Sequence, residues 1–273
     1  MKISVLMSVY KDDNANYLQK ALASVFEEQT RKPDEIVVVF DGPLTPELYE
    51  VLDAFRVGKE GVVLYFPQES NQGLGEALKI GANHCTGDYI FRMDADDISH
   101  PMRFEKQIAY IKEHPQVDVV GTDIGEFYEN YDEPNLRVRA CPASYEEIVS
   151  MAKKRNPMNH VSVCIKRESL LKCGGYESLL LLEDYYLWLK MIAAGCVLRN
   201  INEVLVYVRI GNGFHSKRGS KVRVAGWKKI QEFMVEHGLI NRFEAFVNML
   251  CILAFTCCPA WLRKVVYDKI LRK

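Results

Sequence analysis

The sequence has almost no surplus of charge of either sign. Over 273 residues the formal net charge is −1 at pH 7, so the chain lacks the overall positive field of a nucleic-acid-binding protein. Its charge is uneven, because residues 217–229 include six basic side chains and no acid. We therefore expect no nucleic acid among its partners and a basic patch in the C-terminal part.

Cysteine motifs and a secretion signal are also missing. None of the eight cysteines forms a Cys-x-x-Cys pair or lies at zinc-finger spacing from a histidine, which predicts reduced thiols in a cytoplasmic protein. The apolar run near the N-terminus, "ISVLMSVY", is too short for a signal peptide and has no cleavage site behind it. It is expected to form the first strand.

Two common phosphate-binding motifs are absent. The sequence contains no G-x-x-x-x-G-K-[ST], and "GLGEAL" lacks the third glycine of a dinucleotide-binding fingerprint. These absences exclude a P-loop protein and a dinucleotide-binding domain. Gly73 and Gly75 are expected to let the chain turn into a helix, whose first amide groups favour a nearby anion.

The first half of the chain alternates between two apolar patterns. Short β-branched runs such as "EIVVVFDG" are each followed by a segment with apolar residues at helical spacing, such as "NANYLQKALASVFEEQ" after the first run. Four such repeats precede a fifth apolar run, "VDVVGTDI". The alternation predicts an α/β fold with a mainly parallel sheet and helices on both faces.

Polar side chains follow every predicted strand. Since the carboxyl ends of parallel strands share one edge of a sheet, where ligands bind in open α/β folds, these side chains should lie together. The residues are Tyr10, Asp12 and Asp13 after the first strand, Asp41 after the second, Asn71 and Gly73 after the third, and Asp94, Asp96 and Asp97 after the fourth.

The three carboxylates of "MDADD" repel one another unless a cation neutralises them. Magnesium and manganese prefer oxygen ligands and often bind one or two carboxylates together with phosphate oxygens. Asp94 and Asp96 are therefore predicted to form a metal–diphosphate site. The alternative is that Asp96 or Asp97 caps the helix that begins near Pro101, which leaves Asp94 unexplained.

The sequence resembles the family 2 glycosyltransferases of the GT-A fold, and the similarity covers residues 1–210. It rests on "SVLMSVYKDD", "VVVFDGP" and the long stretch that ends in "RMDADD", which contains the D-x-D of the family. The resemblance implies a nucleotide-sugar half over residues 1–125 and an acceptor half over residues 126–210. Residues 211–273 would add a basic loop and C-terminal amphipathic or apolar helices.

The resemblance implies roles in binding a UDP-sugar donor. Tyr10 would pack on the base, Asp41 would accept a hydrogen bond from uracil, and Asp94 would contact the ribose. Asp94 and Asp96 would hold a divalent metal, Mn²⁺ or Mg²⁺, at the diphosphate. The other predicted donor-site residues are Asp12, Asn71, Gly73 and Arg209. A core aromatic for Tyr10 and a turn residue for Asp41 are the structural alternatives.

Sugar transfer also requires a base for the acceptor hydroxyl. In "LLLLEDYYLWLK" the pair Glu183 and Asp184 precedes an amphipathic helix, and the resemblance implies that Asp184 is the base while Glu183 orients the acceptor side. The alternative is that both acids only offset the helix macrodipole. A base acting directly on the acceptor implies inversion, so that a UDP-α-sugar gives a β-linkage.

Three further side chains carry open alternatives. His160 is predicted either to contact substrate or to form a structural hydrogen bond. Trp188 either stacks on a sugar ring or belongs to the core. His215, in "RIGNGFHSKRG", is a candidate metal ligand or a surface residue, and the residue two positions after Arg209 is Gly211, where the family usually has histidine.

The C-terminus has an uncharged stretch of 18 residues over 245–262, followed by the basic "RKVVYDKILRK". It is short for a transmembrane helix and contains Asn248 and Pro259, so we expect a helix lying on the cytoplasmic face of the inner membrane. A helix packed on the domain and a homodimer contact are the alternatives. Membrane attachment favours a polyprenyl-diphosphate-linked sugar as acceptor.

The loop and tail look most like bacterial O-antigen, capsule and exopolysaccharide transferases of the amylovoran type, and the absence of Q-x-x-R-W favours one sugar per event over processive synthesis. UDP-Glc or UDP-Gal is the favoured donor.

Two other classes of protein function remain as alternatives. A nucleotidyltransferase would normally show a Gly-rich basic segment after the first strand, and a non-catalytic binding protein would tolerate loss of Asp184.

Overall fold

The computed structural model describes residues 1–131, 136–210 and 222–257. Its strands are β1 (Ile3–Val9), β2 (Glu35–Phe40), β3 (Val63–Pro67), β4 (Tyr89–Met93), β5 (Ile98–Ser99), β6 (Val119–Phe127), β7 (Arg137–Arg139), β8 (Cys164–Lys166) and β9 (Leu198–Arg209). Its α-helices are α1 (Ala15–Val25), α2 (Pro46–Arg56), α3 (Leu74–His84), α4 (Arg103–Glu113), α5 (Tyr145–Ala152), α6 (Arg167–Lys172), α7 (Glu183–Ala193), α8 (Val222–Glu236) and α9 (Arg242–Cys257).

The described strands form one sheet in the order β3-β2-β1-β4-β8-β6-β9-β5, with β7 paired to β6. Strands β1 to β4 are mutually parallel, and β6 and β9 are parallel to each other. Strand β8 is antiparallel to both β4 and β6. The fifth predicted strand therefore extends the sheet, as β6, but is separated from β4 by the short β8.

Both faces of the sheet are buried. Successive residues of β4 alternate between the two cores: Phe91 and Met93 face a core that contains α1, α2 and α4, whereas Ile90 faces a core that contains α3, α5, α6, α7 and α8. This alternation follows from the two-residue period of a strand. The strand pairings and the two cores together confirm the prediction of a mainly parallel α/β sheet with helices on both faces.

Helix boundaries follow local capping chemistry. The Asn14 side chain accepts hydrogen bonds from the amides of Asn16 and Tyr17 at the start of α1, and Ser144 and Glu147 form a capping box at the start of α5. Helix α4 has Met102 at its N-cap and no capping side chain. Neither Asp96 nor Asp97 caps it, so the capping interpretation of these acids is wrong.

Helix α8 packs on the core beside α7, where Ile230 and Met234 are fully buried. Helix α9 lies against α8, and its one central polar side chain, Asn248, donates to the carbonyl of Lys153 (2.9 Å) and to Gln231 Oε1 (3.0 Å).

Helix α9 also leaves large apolar side chains exposed, namely Phe243, Phe246, Val247, Leu250 and Leu253. Within the described part of the chain, no helix is both long and apolar enough to cross a bilayer.

Candidate active site

The turn after β1 gathers an aromatic side chain and two acids. The Tyr10 hydroxyl donates to the Asp12 carboxylate, and the Tyr10 amide donates to Asp13 Oδ2 at 2.8 Å. Burial raises the pKa of Asp13 to about 6, with smaller contributions from the negative charges of Asp96 and Asp94. The end of β1 therefore lies close to the end of β4, as predicted.

The end of β2 is tied to the loop before α3. Asp41 is 4% exposed, and its carboxylate accepts from the Gln72 amide (2.7 Å), the Gly73 amide (3.0 Å) and Asn71 Nδ2 (3.0 Å). Gly42 lies beneath the same loop, because a Cβ there would be 2.7 Å from the Asn71 nitrogen. Asp41 thus fixes the other two predicted residues, and its contact with uracil stays a prediction.

The carboxylates after β4 form a cluster. Oxygen atoms of Asp94, Asp96 and Asp97 lie within 4.8 Å of one another. Asp97 is 2% exposed, whereas Asp94 and Asp96 are at least partly accessible. Burial, together with the smaller effect of the Asp94 charge, raises the pKa of Asp96 to about 6. Burial, followed by the charges of Asp96 and Asp94, raises the pKa of Asp97 well above its ordinary value.

The residues present fit a hard divalent metal. The cluster offers only oxygen ligands, and Mg²⁺ and Mn²⁺ prefer these. Asp94 and Asp96 would hold such an ion, since Asp97 is buried and already accepts a backbone hydrogen bond. The chemistry of the donor set thus agrees with the predicted site. Which metal binds stays a prediction.

Asp97 connects the cluster to the end of β9. Its Oδ1 accepts from the Arg209 amide at 2.8 Å, and the next two residues of the chain form β5, which pairs with β9. The Arg209 guanidinium lies over the rings of Tyr17 (3.8 Å) and Phe127 (4.5 Å), and its Nε donates to the Asp96 carbonyl at 3.2 Å. Arg209 is therefore at the predicted site, where its contact with the donor stays a prediction.

The paired acids lie at the start of α7. Glu183 is buried at the first helical position and accepts from the Leu182 amide at 2.8 Å. Asp184 accepts from its neighbouring amide, that of Tyr185, at 2.7 Å and from Asn156 Nδ2 at 2.5 Å. Burial raises the pKa of both acids, while the two hydrogen bonds to Asp184 partly oppose this effect there. A carboxylate with a raised pKa is suited to accept a proton.

A buried arginine on β4 directly precedes the cluster of carboxylates. Arg92 is 3% exposed and forms an ion pair with Asp94 through Nη1. Its positive charge partly opposes the effect of burial, which raises the pKa of both Glu183 and Asp184.

An aromatic cluster supports the same face of the sheet. His160 Nε2 lies 3.0 Å from the Tyr176 hydroxyl, and the His160 ring packs edge-on against Trp188. Burial, with a smaller effect of Arg92, lowers the pKa of His160 well below its ordinary value. Trp188 is fully buried, so stacking on a sugar ring is wrong for it and the core alternative holds. His160 forms the structural hydrogen bond.

The structure brings most predicted residues to one region. The ends of β1, β2 and β4 meet at the predicted edge, and Arg209 joins them from β9. His215 lies outside the described residues. Sequence reasoning did not identify Arg92 or Asn156. An arginine inside the apolar run "DYIFRM" was a usable signal, whereas nothing local marked Asn156, which is 28 residues from Asp184.

Solved structures with the same architecture identify the fold. A fragment of S. aureus TarS in complex with UDP-GlcNAc matches with a TM-score of 0.70 and 16% identity, covering 99% of this chain and 76% of that one. The mannosyltransferase PcManGT from Pyrobaculum calidifontis, in complex with GDP-Man and Mn²⁺, matches with a TM-score of 0.62 and 16% identity, covering 98% and 79%. The fold is that of a GT-A glycosyltransferase.

The chain belongs to glycosyl transferase family 2, whose model matches residues 4–179. An uncharacterized glycosyltransferase of Haemophilus influenzae is 41% identical over 276 residues, covering all of both chains. The amylovoran biosynthesis glycosyltransferase AmsE of Erwinia amylovora is 38% identical, covering 84% of this chain and 81% of its own. The UDP-Gal:alpha-D-GlcNAc-diphosphoundecaprenol beta-1,3-galactosyltransferase of Escherichia coli is 32% identical, covering 100% and 97%. The predicted family and enzyme class are confirmed.

Proposed function

We propose that this glycosyltransferase moves one hexose from a UDP-sugar, with UDP-Glc or UDP-Gal favoured, to a polyprenyl-diphosphate-linked sugar. The transfer inverts the anomeric centre and gives a β-linkage. The proposed setting is the synthesis of O-antigen, capsule or exopolysaccharide. Two observations carry the proposal: the oxygen atoms of Asp94, Asp96 and Asp97 lie within 4.8 Å of one another at the end of β4, and the Asp184 carboxylate is held by Asn156 and by the Tyr185 amide.

The donor side is built for a nucleotide diphosphate. Asp94 and Asp96 would hold Mn²⁺ or Mg²⁺, which neutralises charge on the departing diphosphate when bound. Tyr10 and Asp41 lie at the ends of the adjacent strands β1 and β2, where a base and ribose would fit beside the carboxylates. The solved complexes of TarS with UDP-GlcNAc and of PcManGT with GDP-Man and Mn²⁺ support such a site without deciding the base.

The acceptor side supplies the proton acceptor. Asp184 is held by Asn156 and by a backbone amide, so one orientation of its carboxylate is fixed. In the proposed reaction it takes the proton of the acceptor hydroxyl as the oxygen attacks the anomeric carbon and the bond to the diphosphate breaks. Glu183 orients the acceptor side. A single displacement of this kind inverts the configuration.

The name of the E. coli relative supports a lipid-linked acceptor, since it specifies GlcNAc-diphosphoundecaprenol as substrate and UDP-Gal as donor. The AmsE relative is named for amylovoran synthesis, which supports a surface polysaccharide. An acceptor of this type lies in a membrane. The exposed apolar side chains of α9 offer a surface that can bind a membrane, and the basic residues that follow in the sequence would attract anionic lipid headgroups. We propose peripheral attachment at the cytoplasmic face of the inner membrane.

A transfer assay tests the proposal. The purified protein is incubated with radiolabelled UDP-Glc, UDP-Gal, UDP-GlcNAc or GDP-Man, and with synthetic lipid-diphosphate GlcNAc or GalNAc, with Mn²⁺ or with EDTA. Label that moves from a UDP-sugar into lipid only when metal is present supports the proposal. Transfer from GDP-Man alone would contradict the uracil-reading role of Asp41, and transfer only to a soluble sugar would contradict the lipid-linked acceptor.

A further inference from the structure

Arg92 stands out among the described residues as a buried cation inside an apolar strand. Residues 89–93 read "YIFRM", and the neighbours of Arg92 on β4, Phe91 and Met93, point into the opposite core. The two-residue period of the strand places Arg92 on the face that holds Ile90, α7 and the His160–Tyr176–Trp188 cluster. Its side chain therefore begins under the donor carboxylates and extends toward the acceptor half.

A charge in this position needs strong compensation. Burying an unpaired guanidinium in a protein core is unfavourable by several kcal/mol, and only 3% of Arg92 is exposed. Its one ion pair in the described structure is with Asp94, and its Nε has no hydrogen-bond acceptor there. A side chain needed only for packing would be apolar at this position, so the retained charge points to a role in the site.

The negative groups around Arg92 come from both halves of the molecule. On the donor side Asp94 is paired with it, and Asp97 is close enough to stabilise its charge. On the acceptor side its charge acts on Glu183 and Asp184 at the start of α7.

We propose that Arg92 is a positioning residue for sugar transfer: its ion pair fixes the Asp94 carboxylate toward the donor diphosphate. This inference rests on the proposed function. Removing the guanidinium frees Asp94 to rotate. Substrates would still bind, but the reacting groups would be misplaced.

Two substitutions at Arg92 and a matched control test the role. Arg92→Gln removes the positive charge. Arg92→Lys keeps the charge but lacks the planar guanidinium group, which can donate two parallel hydrogen bonds to a carboxylate. The control is Arg103→Gln, because Arg103 is equally buried but donates to carbonyl oxygens and to Gln107 instead of carboxylates. The measurements are kcat and KM for both substrates per folded molecule, the affinity for UDP with Mn²⁺ by calorimetry, and urea unfolding.

We expect Arg92→Gln to lower kcat by about 100-fold, the scale for loss of a preorganised electrostatic contact, with KM values changed by less than about threefold. Arg92→Lys should recover about tenfold of this loss. Arg103→Gln should lower stability while its folded fraction keeps a kcat near that of the unaltered protein. If Arg92→Gln does not fold, a reduced kcat of Arg92→Lys with unchanged UDP affinity supports the role.

An unchanged kcat of Arg92→Gln, or of Arg92→Lys where only that variant folds, would overturn the inference. Equal loss of kcat in the Arg92 variants and in Arg103→Gln would also overturn it, because it would show that any disturbance of this core is sufficient. Failure of the proposed function is recognised separately: the unaltered protein would then transfer no sugar with any donor and acceptor of the panel.

Discussion

The Asp97 carboxylate accepts a hydrogen bond from the Arg209 backbone amide at 2.8 Å, and this bond joins the acid cluster after β4 to the end of β9. The two residues are 112 positions apart in the sequence. The contact gives Asp97 a structural task that the other two acids of the cluster do not share. It also places the end of β9 beside the predicted metal site.

The first prediction separates this structural task from metal binding. In Asp97→Ala the part-buried Arg209 amide loses its acceptor, an effect of about 1–3 kcal/mol, and we expect affinity for UDP with Mn²⁺ to fall by about tenfold. Asp97→Asn keeps an oxygen that accepts the same bond, so its affinity should stay near that of the unaltered protein. Calorimetry measures both. An equal loss in the two variants would show that the negative charge itself is needed.

The second prediction concerns the loop that Asp41 holds. Gly42 has φ +88°, and a Cβ there would lie 2.7 Å from the Asn71 nitrogen. Gly42→Ala should therefore lower the free energy of unfolding by more than the roughly 1–2 kcal/mol expected for left-handed strain alone, and it should weaken UDP binding by displacing residues 71–73.

Gly58→Ala is the matched control for this substitution. Gly58 also has a positive φ, +73°, but a Cβ there meets no atom within 4 Å. Urea unfolding should show only the strain contribution for Gly58→Ala, with UDP affinity unchanged. Identical behaviour of the two variants would contradict the role of the loop in the donor site.

The third prediction is a change in pH dependence. The Asn156 hydrogen bond favours the ionised form of Asp184 and thus opposes the effect of burial, which raises its pKa. In Asn156→Ala the pKa of Asp184 should rise further, so that less of the base is ionised at low pH. The acid limb of the pH profile of kcat should therefore move to higher pH. Asn83→Ala, an exposed position on α3, is the control, and an unmoved limb would contradict Asp184 as the base.

The fourth prediction tests the exposed face of α9. Replacing Phe246, Leu250 and Leu253 by serine removes apolar surface worth roughly 1.5–3 kcal/mol per side chain when fully buried, so binding to anionic phosphatidylglycerol vesicles should fall by at least tenfold. Val57→Ser, which removes another exposed apolar side chain, is the control. Vesicle sedimentation measures the effect. Unchanged sedimentation together with loss of a dimer in size-exclusion chromatography would assign the face to a homodimer contact instead.

Sequence reasoning reached the parts of the fold that are local. Strands β1 to β4 were predictable because each is a β-branched or apolar run followed by a helical stripe, and parallel pairing brings their polar ends to one edge. The insertion of β8 between β4 and β6 was not, because β8 has only three residues, Cys164–Lys166, and its place depends on long-range antiparallel pairing. Short strands carry too little pattern to reveal their neighbours.

The site shows the same division. The acids after β4 were recognisable because like charges at the end of a buried strand need an explanation. The Glu183–Asp184 pair was identified through its resemblance to the family, because acids at the start of a helix would by themselves indicate only an offset of the macrodipole. The side chains that hold these acids in place could not be recognised from the sequence. Asn156, for example, reaches Asp184 only because α5 and α7 pack together. In the sequence, Asn248 counted only against a transmembrane helix, whereas in the fold its side chain binds α9 to α8 and to residue 153.

The most direct test of the account is Asp184→Asn, compared with Glu146→Gln at an exposed position on α5. Transfer of labelled hexose to the lipid-linked acceptor is measured beside the affinity for UDP with Mn²⁺. Because loss of a general base lowers rates by about 10²–10⁴-fold, transfer should nearly disappear in Asp184→Asn while UDP affinity stays the same. Transfer by Asp184→Asn at close to the rate of the unaltered protein would contradict the assignment of Asp184 as the base and, with it, the proposed inverting reaction.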